Sequence, residues 1–328
     1  MTRVAVIGAG LAGLHAARRL HDAGAEVRVF DKARGSGGRM STRRTDFGAF
    51  DHGAQYFTAR DPRFRAQVEK WVASGAAAPW PGKVVRLAEG RVVAEEQAEP
   101  RFVGAPKMNA VVRDLLGEID ASFGVRIETL RRREEGWVLR CDADFEYEGF
   151  DLVVVAVPPA QALPLIDASS KLGPAIAGVR MWPCHATMLS FEAPLPVAFD
   201  GAFVESESIA WVARNDSKAE RGKESCWVVH THAEWSERHV EREPASVGEH
   251  LEEEFARVLG VELPPVRYRG THRWLYARPA HPLDGSTLFD PEVGLGICGD
   301  WTRGDKVEDA FVSAEDLVDV ILPAYGLG

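Results

Sequence analysis

The sequence predicts an α/β protein in which a doubly wound, mostly parallel sheet is interrupted by an inserted mixed or antiparallel sheet. Three observations predict this class. The first thirty residues show a strand, a glycine-rich turn, a helix and a second strand. The apolar run DLVVVAV at 151–157 is typical of a strand covered on both faces. From about residue 160 to 283 the strands become longer and alternate in polarity, and a short strand and a helix follow near the C-terminus.

The N-terminal elements form a βαβ unit. We predict a strand at Val4–Gly8, a helix with apolar residues at helical spacing at Leu11–Ala23, and a strand at Glu26–Phe30. Gly24 lies where the helix ends. This succession is the first module of a doubly wound sheet.

The next segment continues with mixed elements. Asp61 as N-cap and Pro62 at the first helical position predict a helix to about Ser74. Further along, the patterns predict a hairpin within 79–99, a helix at 107–116, strands near 125–129 and 137–141, and the apolar strand that ends at Pro158.

The inserted region has a different character. Four segments predict its strands: HATMLSFEA, AFVESESIAWVAR, SCWVVHTHA and VRYRGTHRWLYA, with one helix at about 244–259. The chain then returns with a final strand at 294–298 and a final helix at 307–321. We therefore expect one domain from 1–58, 104–160 and 284–328, and a second, substrate-binding domain from 59–103 and 161–283.

Charge and cysteine content restrict the partners and the compartment. The net charge of −10 argues against nucleic acid or an anionic membrane as the main partner. Residues 1–45 nevertheless carry nine Lys or Arg against three Asp or Glu, which favours an anionic ligand there. The four cysteines form no C-x-x-C, so we expect a reducing, cytoplasmic environment. No apolar run approaches the ~20 residues of a membrane span.

A glycine motif identifies the candidate ligand site. Gly8, Gly10 and Gly13 form G-x-G-x-x-G between the first strand and the first helix. Gly8 permits the tight turn, Gly10 lets a pyrophosphate approach, and Gly13 lets helix and strand pack closely. Asp31 ends the second strand, where a carboxylate can accept hydrogen bonds from a ribose diol. This predicts a Rossmann-type dinucleotide-binding unit, but the turn alone does not distinguish NAD from FAD.

The segment RGSGGR, from Arg34 to Arg39, resembles the R-x-G-G-R segment of the monoamine oxidase-like flavoenzymes. In that family the arginines and paired glycines pack over the FAD pyrophosphate, so the resemblance implies FAD. Arginine also suits phosphate because its donors are fixed in a plane. We expect Arg39 at the phosphates, and Arg43 and Arg44 in a solvated basic loop.

The C-terminal segment GICGDWTRGDKVEDAF resembles the strand, acidic residue and helix that complete the FAD site in the same family. The resemblance implies that Asp300 bonds a ribityl hydroxyl or the nearby phosphate. It also implies that the helix starting near Val307 aims N–H groups at the flavin ring. The expected contacts of a non-covalent FAD are Gly8, Gly10, Leu11, Ala12, Gly13, Asp31, Lys32, Arg34, Gly38, Arg39, Met40, Gly53, Ala54, Gln55, Asp300, Lys306, Val307, Glu308 and Ala310.

Four further segments resemble the renalase family, particularly its bacterial members: FDHGAQYFT (50–58), FVGAPKMNAVVRDL (102–115), VVVAVPPAQA (153–162) and THRWLYARP (271–279). The resemblance implies an FAD oxidase that takes a hydride from the 2- or 6-dihydro isomers of NAD(P). The products would be NAD(P)⁺ and, with O₂ as acceptor, hydrogen peroxide. The preferred isomer, the choice between NAD and NADP, and the oligomeric state stay open.

Aromatic residues of the insert are candidates for the substrate pocket. A nicotinamide ring needs a flat face, which Trp211, Trp227, Trp274 or Tyr276 can offer, although core packing is an equal alternative for each. Trp274 is preferred because it lies in the family-like HRW segment. The adjacent His272 is a candidate to orient the carboxamide, and Gln55 to place an amide near the flavin.

Two other flavin-dependent functions and an NAD-dependent one compete with this hypothesis. Amine oxidases of the superfamily usually carry a lysine that holds a water near flavin N5, and this chain has no lysine between Glu224 and Asp305. An FAD-dependent amine oxidase or desaturase is therefore the second hypothesis, followed by a flavin-binding redox sensor. The Gly37–Arg39 segment and the Asp300 element disfavour an NAD-dependent dehydrogenase. His230 and His232 share a strand face but lack a clear third ligand, so no metal is expected.

Overall fold

The computed structural model describes residues 1–96, 99–166 and 170–328. The described residues form these strands: β1 Arg3–Ile7, β2 Glu26–Asp31, β3 Thr42–Thr45, β4 Gly48–Asp51, β5 Ala77–Pro79, β6 Val84–Ala88, β7 Arg91–Glu95, β8 Phe102–Gly104, β9 Asp120–Phe123, β10 Ile127–Arg133, β11 Gly136–Cys141, β12 Glu146–Phe150, β13 Leu152–Val155, β14 Met181–Phe191, β15 Gly201–Glu205, β16 Ile209–Arg214, β17 Ser225–Thr231, β18 Val266–Pro279, β19 Leu288–Asp290 and β20 Leu295–Ile297. The helices are α1 Leu11–Asp22, α2 Pro62–Ser74, α3 Ala110–Leu116, α4 Pro159–Ala162, α5 Leu172–Ile176, α6 Ala233–Arg238, α7 Pro244–Leu259 and α8 Val307–Tyr325. Residues 97–98, in the predicted hairpin, lie outside the described residues. Residues 167–169, in the expected substrate-binding domain, also lie outside them.

A six-stranded sheet in the order β19-β20-β13-β1-β2-β9 is built from both ends of the chain. Its strands are parallel except for β19, which runs antiparallel to β20. On one face, Val4 and Val6 pack with side chains of α1 and α8. On the other face, Ala5 and Val153 pack with the three-stranded sheet β10-β11-β12. The predicted βαβ unit and the doubly covered strand are confirmed.

A second, seven-stranded sheet has the order β18-β14-β17-β16-β15-β6-β7. The β15–β6 pair is parallel and the other neighbours are antiparallel, so the sheet is mixed. Helix α7 covers one face, where Leu251 and Phe255 pack in the same core as Leu189 and Val229. The opposite face packs against Phe50 of β4. This face, which we call the inner face, is where the candidate site begins.

Some boundaries differ from the sequence-based prediction. AFVESESIAWVAR was predicted as one strand but forms β15 and β16. The hydroxyl of Ser206 accepts from Ile209 N at 2.9 Å and donates to Ile209 O at 3.1 Å, which closes the turn between them. The final helix extends to Tyr325, past its predicted end. The short strands β9 and β19 were not predicted, because each has only three or four residues.

Strands β6 and β7 bring part of the 59–103 segment into the sheet of the insert. Helix α2 instead packs against α8, with the rings of Phe64 and Phe311 5.0 Å apart. The domain boundaries stay predictions. Among the residues that the structure describes, no helix is both long and apolar enough to cross a membrane.

Candidate functional site

The glycine turn between β1 and α1 is tightly packed at two of its three glycines. Gly8 has φ +111°, and a Cβ there would lie 2.6 Å from Ala156 O. A Cβ on Gly13 would lie 2.0 Å from Gly8 O. At Gly10, the N-cap of α1, a Cβ would meet no atom within 4 Å. The turn therefore leaves open space at Gly10 alone, directly at the N-terminus of the helix.

The RGSGGR segment lies against this turn. A Cβ on Gly38 would be 3.3 Å from the Cα of Gly10, and Gly37 N donates to Ala9 O at 2.9 Å. No side chain in the described part of the chain caps α1, and the first turn of this helix carries no acidic residue. Unpaired N–H groups at a helix start, next to two glycines without side chains, fit a diphosphate.

The other residues expected around this turn differ in exposure. The side chains of Leu11, Ala12 and Met40 are buried, so these residues offer only backbone to a ligand. Lys32 and Arg34 are exposed on the loop after β2. Asp31 ends β2 as predicted, but its carboxylate already accepts from Ala9 N at 2.6 Å and Ala33 N at 2.7 Å. A ribose would therefore share this carboxylate with the backbone.

The two family-like motifs at the ends of the chain meet in an ion pair. Arg39 donates from Nη1 to Asp300 Oδ2 at 2.7 Å and from Nη2 to Oδ1 at 2.5 Å. Arg39 Nη1 also donates to Ala277 O at 3.0 Å. The side chain of Asp300 is 6% exposed and that of Arg39 is 31% exposed. The sequence predicted that both contact the cofactor, and the structure pairs them with each other.

The start of α8 lies beside this ion pair. Lys306 N donates to Asp309 Oδ2 at 2.9 Å, which caps the helix. Glu308 Oε1 accepts from Arg60 N at 2.5 Å and Asp61 N at 2.6 Å. The carboxylate of Glu308 is thus hydrogen-bonded to the two backbone N–H groups that precede α2. Val307 and Ala310 are partly buried against the core that α8 shares with α1.

The segment 52–55 connects Arg39 to the seven-stranded sheet. A Cβ on Gly53 would lie 1.9 Å from Arg39 O, and Ala54 N donates to the same carbonyl at 2.8 Å. On the sheet side, His52 O accepts from Trp274 Nε1 at 2.9 Å. Only a glycine at 53 permits this contact, so the segment is fixed between the two halves of the site.

Three histidines and Trp274 gather on the inner face. The ring of His52 lies 5.0 Å from that of His272 and 5.1 Å from that of Trp274, and His272 and Trp274 are 4.3 Å apart. His230 Nε2 lies 3.1 Å from His52 O. We call His52, His230, His272 and Trp274 the inner-face cluster.

Burial keeps the histidines of the cluster neutral. It lowers the pKa of His52 to about 3 and that of His230 to about 4. The pKa of His272 is also lowered, first by burial and then by the charge of Arg43. At neutral pH this wall of the site is flat and uncharged, and its imidazoles are weak proton acceptors.

The remaining aromatic candidates lie apart from the cluster. Trp211 shares the inner face, but its ring packs 4.8 Å from Phe203 and 5.7 Å from Tyr56. Trp227 is fully buried on the opposite face, with its ring 5.5 Å from Phe255 under α7. The hypothesis that Trp227 lines the pocket is therefore wrong, because its side chain points into the hydrophobic core. Tyr276 packs against the core beneath the first sheet.

Sequence reasoning missed a buried lysine next to this site. Lys218 Nζ lies 3.2 Å from Gln55 Oε1, 3.3 Å from Asp51 Oδ2 and 3.3 Å from Asn215 Oδ1. Its side chain is fully buried, and burial lowers the pKa of Lys218 to about 8. The lysine lies in NDSKAER, a polar run that is typical of a solvated loop. The local sequence therefore gives no indication that this side chain is buried.

Lys218 belongs to a buried ionic triad. Asp51, fully buried, also accepts from Arg221 Nη2 at 2.7 Å and from Thr42 Oγ1 at 2.6 Å. Burial alone would raise the pKa of Asp51, but the charges of Lys218 and Arg221 hold it below its usual value. The triad holds two cations and one carboxylate directly behind segment 52–55. Gln55 is therefore fixed by Lys218 and by its own donation to Gly53 O at 3.0 Å.

The two histidines of the H-x-H pattern have separate surroundings. His230 points to His52, whereas His232 is the residue before α6. Within 1–96, 99–166 and 170–328, no three His, Cys, Asp or Glu side chains are placed to hold a metal ion.

Comparison with known proteins identifies the fold. Residues 6–71 match a family model described as an NAD(P)-binding Rossmann-like domain. A provisionally named protoporphyrinogen oxidase from Exiguobacterium sp. 255-15 superimposes with a TM-score of 0.77 at 12% identity, over 98% of each chain. A putrescine oxidase triple mutant, redesigned at its cofactor binding, gives a TM-score of 0.74 at 12% identity over 98% of this chain and 99% of its own. The fold is the amine oxidase-like two-domain fold. The fold class expected from the sequence is confirmed.

Proposed function

We propose that this protein is an FAD-dependent oxidase that takes a hydride from the 2- or 6-dihydro isomers of NAD(P). The observation that carries the proposal is the inner-face cluster, where Trp274 offers a flat ring and the pKa values of His52 and His230 are near 3 and 4. Histidines with such pKa values are poor bases at neutral pH. Removal of a hydride from a dihydropyridine needs no base, because it leaves an aromatic cation.

The glycine cradle supports FAD as the cofactor. Gly10 and Gly38 present bare backbone beside the free N–H groups of α1, which suits the pyrophosphate. Bound FAD would supply the hydride acceptor and would return electrons to O₂. Burial raises the pKa of Cys298, the cysteine within the C-terminal motif, to about 12, which supports non-covalent binding.

This chain's own residues would position the substrate. Trp274 would stack on the nicotinamide ring, and neutral His272 would orient the carboxamide. Gly53 and Ala54 would bring backbone close to the reacting ring, and the triad would hold them in place. In the overall reaction the substrate gives up a hydride, and O₂ takes its two electrons with two protons, one from the hydride and one from solvent, to become hydrogen peroxide. The resemblance to the renalase family supports this substrate class, and four unpaired cysteines fit a cytoplasmic protein.

An amine oxidase is the second candidate, and Lys218 favours it. The absence of lysine between Glu224 and Asp305 counted against this function, but Lys218 lies just outside that window and reaches Gln55. With a pKa of about 8 it is near the range in which a lysine exchanges protons at neutral pH. The likeness to a putrescine oxidase fold is compatible with either function.

Anaerobic reduction of the bound flavin separates the two candidates. The purified protein is mixed with 6-dihydro-NAD, 2-dihydro-NAD, ordinary 4-dihydro-NADH and a set of amines, and flavin absorbance is followed. Rapid bleaching by a 2- or 6-isomer alone, reversed by air with peroxide formed, supports the proposal. Bleaching by amines alone supports an amine oxidase. A flavin that no reductant bleaches contradicts both and supports a sensor, and a protein that binds no flavin contradicts FAD itself.

A further inference from the structure

A cleft of about 350 Å³ opens where β18 ends and α8 begins. The sheet contributes Trp182 and Arg278 to its lining, and the loop before α8 contributes Gly304 and Asp305. A cleft of this size can hold one nucleoside with its phosphates. None of its lining residues is among the expected FAD contacts, which near the C-terminus are Asp300 and residues from Lys306 onward.

The chemistry of the lining suits a nucleotide. Trp182 and Arg278 are direct cross-strand partners in β14 and β18, so their side chains stand on one face of the sheet. Arg278 is exposed and has no ion pair with any residue that the structure describes. Arg180 lies 4.3 Å from the ring of Trp182 while it pairs with Glu237. An indole beside an available guanidinium can stack a base and bind a phosphate.

The cleft continues from the inner-face cluster along the same strand. Trp274 and Arg278 are four residues apart on β18, which corresponds to at most about 13 Å at the rise of a strand. The pairing with β14 shifts register between them, but their partners Cys184 and Trp182 are alternate residues of β14, so Trp274 and Arg278 stand on the same face of the sheet. Between them, the carbonyl of Ala277 accepts from Arg39, so this part of β18 borders the cofactor site. A ligand with a planar ring at Trp274 and an anionic group farther along fits this path.

We propose that the cleft binds the adenylate half of the dinucleotide substrate. The pyrophosphate lies at Arg278, the purine stacks on Trp182, and the carboxylate of Asp305 accepts from ribose hydroxyls. This inference rests on the proposed function, because it assigns the distal half of that substrate. A small polyamine has no group that would pair with Arg278, so the same cleft disfavours the amine alternative.

Truncated substrates test the proposal on the FAD-loaded enzyme. Flavin reduction is measured with 6-dihydro-NAD and with 6-dihydronicotinamide riboside, which lacks the adenylate half. Arg278→Gln should lower kcat/KM for the dinucleotide at least tenfold and leave the riboside within twofold. Arg267→Gln, which removes the same charge from an exposed position on β18, is the control and should change neither.

Calorimetric titration with ADP-ribose gives a second readout without turnover. We expect binding to the wild-type protein that weakens tenfold in Arg278→Gln and in Trp182→Leu, but not in Arg267→Gln. Equal effects of Arg278→Gln on both substrates, or no binding of ADP-ribose, would overturn the adenylate site. If neither dihydronicotinamide reduces the flavin, the proposed function fails, and the ADP-ribose titration then decides the cleft by itself.

Discussion

Two alanine substitutions in the glycine turn should have opposite consequences, although the residues are three positions apart. A Cβ on Gly13 would lie 2.0 Å from Gly8 O and 3.0 Å from Ala156 Cβ. Relief of that overlap requires α1 to move away from β1 by more than 1 Å. A Cβ on Gly10 would meet nothing within 4 Å. We therefore predict that Gly13→Ala damages the protein itself, and that Gly10→Ala damages only ligand binding.

The magnitudes follow from packing and from helix-start energetics. Overpacking of this kind costs about 3 kcal/mol. Unfolding entropy of about 2.1 cal/mol/K per residue gives about 0.7 kcal/mol/K for 328 residues, so Gly13→Ala should lower the Tm of the apoprotein by about 4 °C. For Gly10→Ala, the loss of about 0.5 kcal/mol at the N-cap is offset by a similar gain from reduced entropy of the unfolded chain. Its Tm should stay within about 1 °C.

The affinity for FAD should instead be reduced by Gly10→Ala, the variant that leaves stability unchanged. The methyl group of Gly10→Ala occupies the space through which the pyrophosphate is expected to approach, so the Kd for FAD should rise at least tenfold, or about 1.4 kcal/mol. The assays are differential scanning calorimetry of the apoprotein and fluorescence titration with FAD. Gly178→Ala is the control, because its Cβ also meets nothing within 4 Å and it lies outside the turn. Wild-type FAD affinity in Gly10→Ala, or a wild-type Tm in Gly13→Ala, would refute the reasoning.

Three further predictions follow from the inner face of the sheet. Trp274→Ala should slow flavin reduction at least tenfold in stopped-flow experiments. Trp227→Phe, on the opposite face, should keep the reduction rate within twofold of wild type. Equal effects of the two substitutions would contradict the assignment of faces. Because the pKa values of His52 and His230 lie near 3 and 4, the reduction rate should be flat between pH 5.5 and 7.5; a step near pH 6.5 would show a titrating histidine. Burial lowers the pKa of Lys218 from 10.5 to about 8, so the folded state loses this proton before the unfolded state does. Stability should therefore rise from pH 8 to 10.5, by up to about 3 kcal/mol, and urea denaturation of Lys218→Met should lack this rise.

Local patterns predicted most of the fold. The spacing of Gly8, Gly10 and Gly13 between a strand and a helix is a short-range signal, and the βαβ unit followed it. Pro244 as a first-turn residue and Gly260 as an αL cap bracket α7, whose bounds match the prediction. In each case the residues that determine the element are neighbours in sequence.

The arrangement of the candidate site depends on contacts between distant residues and on strand register, which local sequence patterns do not predict. The Arg39–Asp300 pair joins residues 261 positions apart, and each partner separately resembles a cofactor contact. Trp227 and Trp274 have the same chemistry, and strand register alone decides which of them faces the site. Lys218 is buried because its partner Asp51 comes from β4, 167 positions away, and Arg221, in the same run as Lys218, pairs with the same carboxylate. Its own neighbours in sequence are polar and indicate an exposed loop.

The placement of β20 beside β13 also determines when the six-stranded sheet can be completed during synthesis of the chain. Strand β13 pairs on one side with β1 and on the other with β20. Of the strands in this sheet, β20 is synthesised last. Roughly 140 residues separate the two partners, so at about 5–20 residues per second the edge of β13 waits about 7–28 s for its neighbour. An unpaired, apolar strand edge is an aggregation hazard during that interval. The insert is therefore synthesised while its host domain still lacks β20, and chaperone demand should concentrate in that interval of translation.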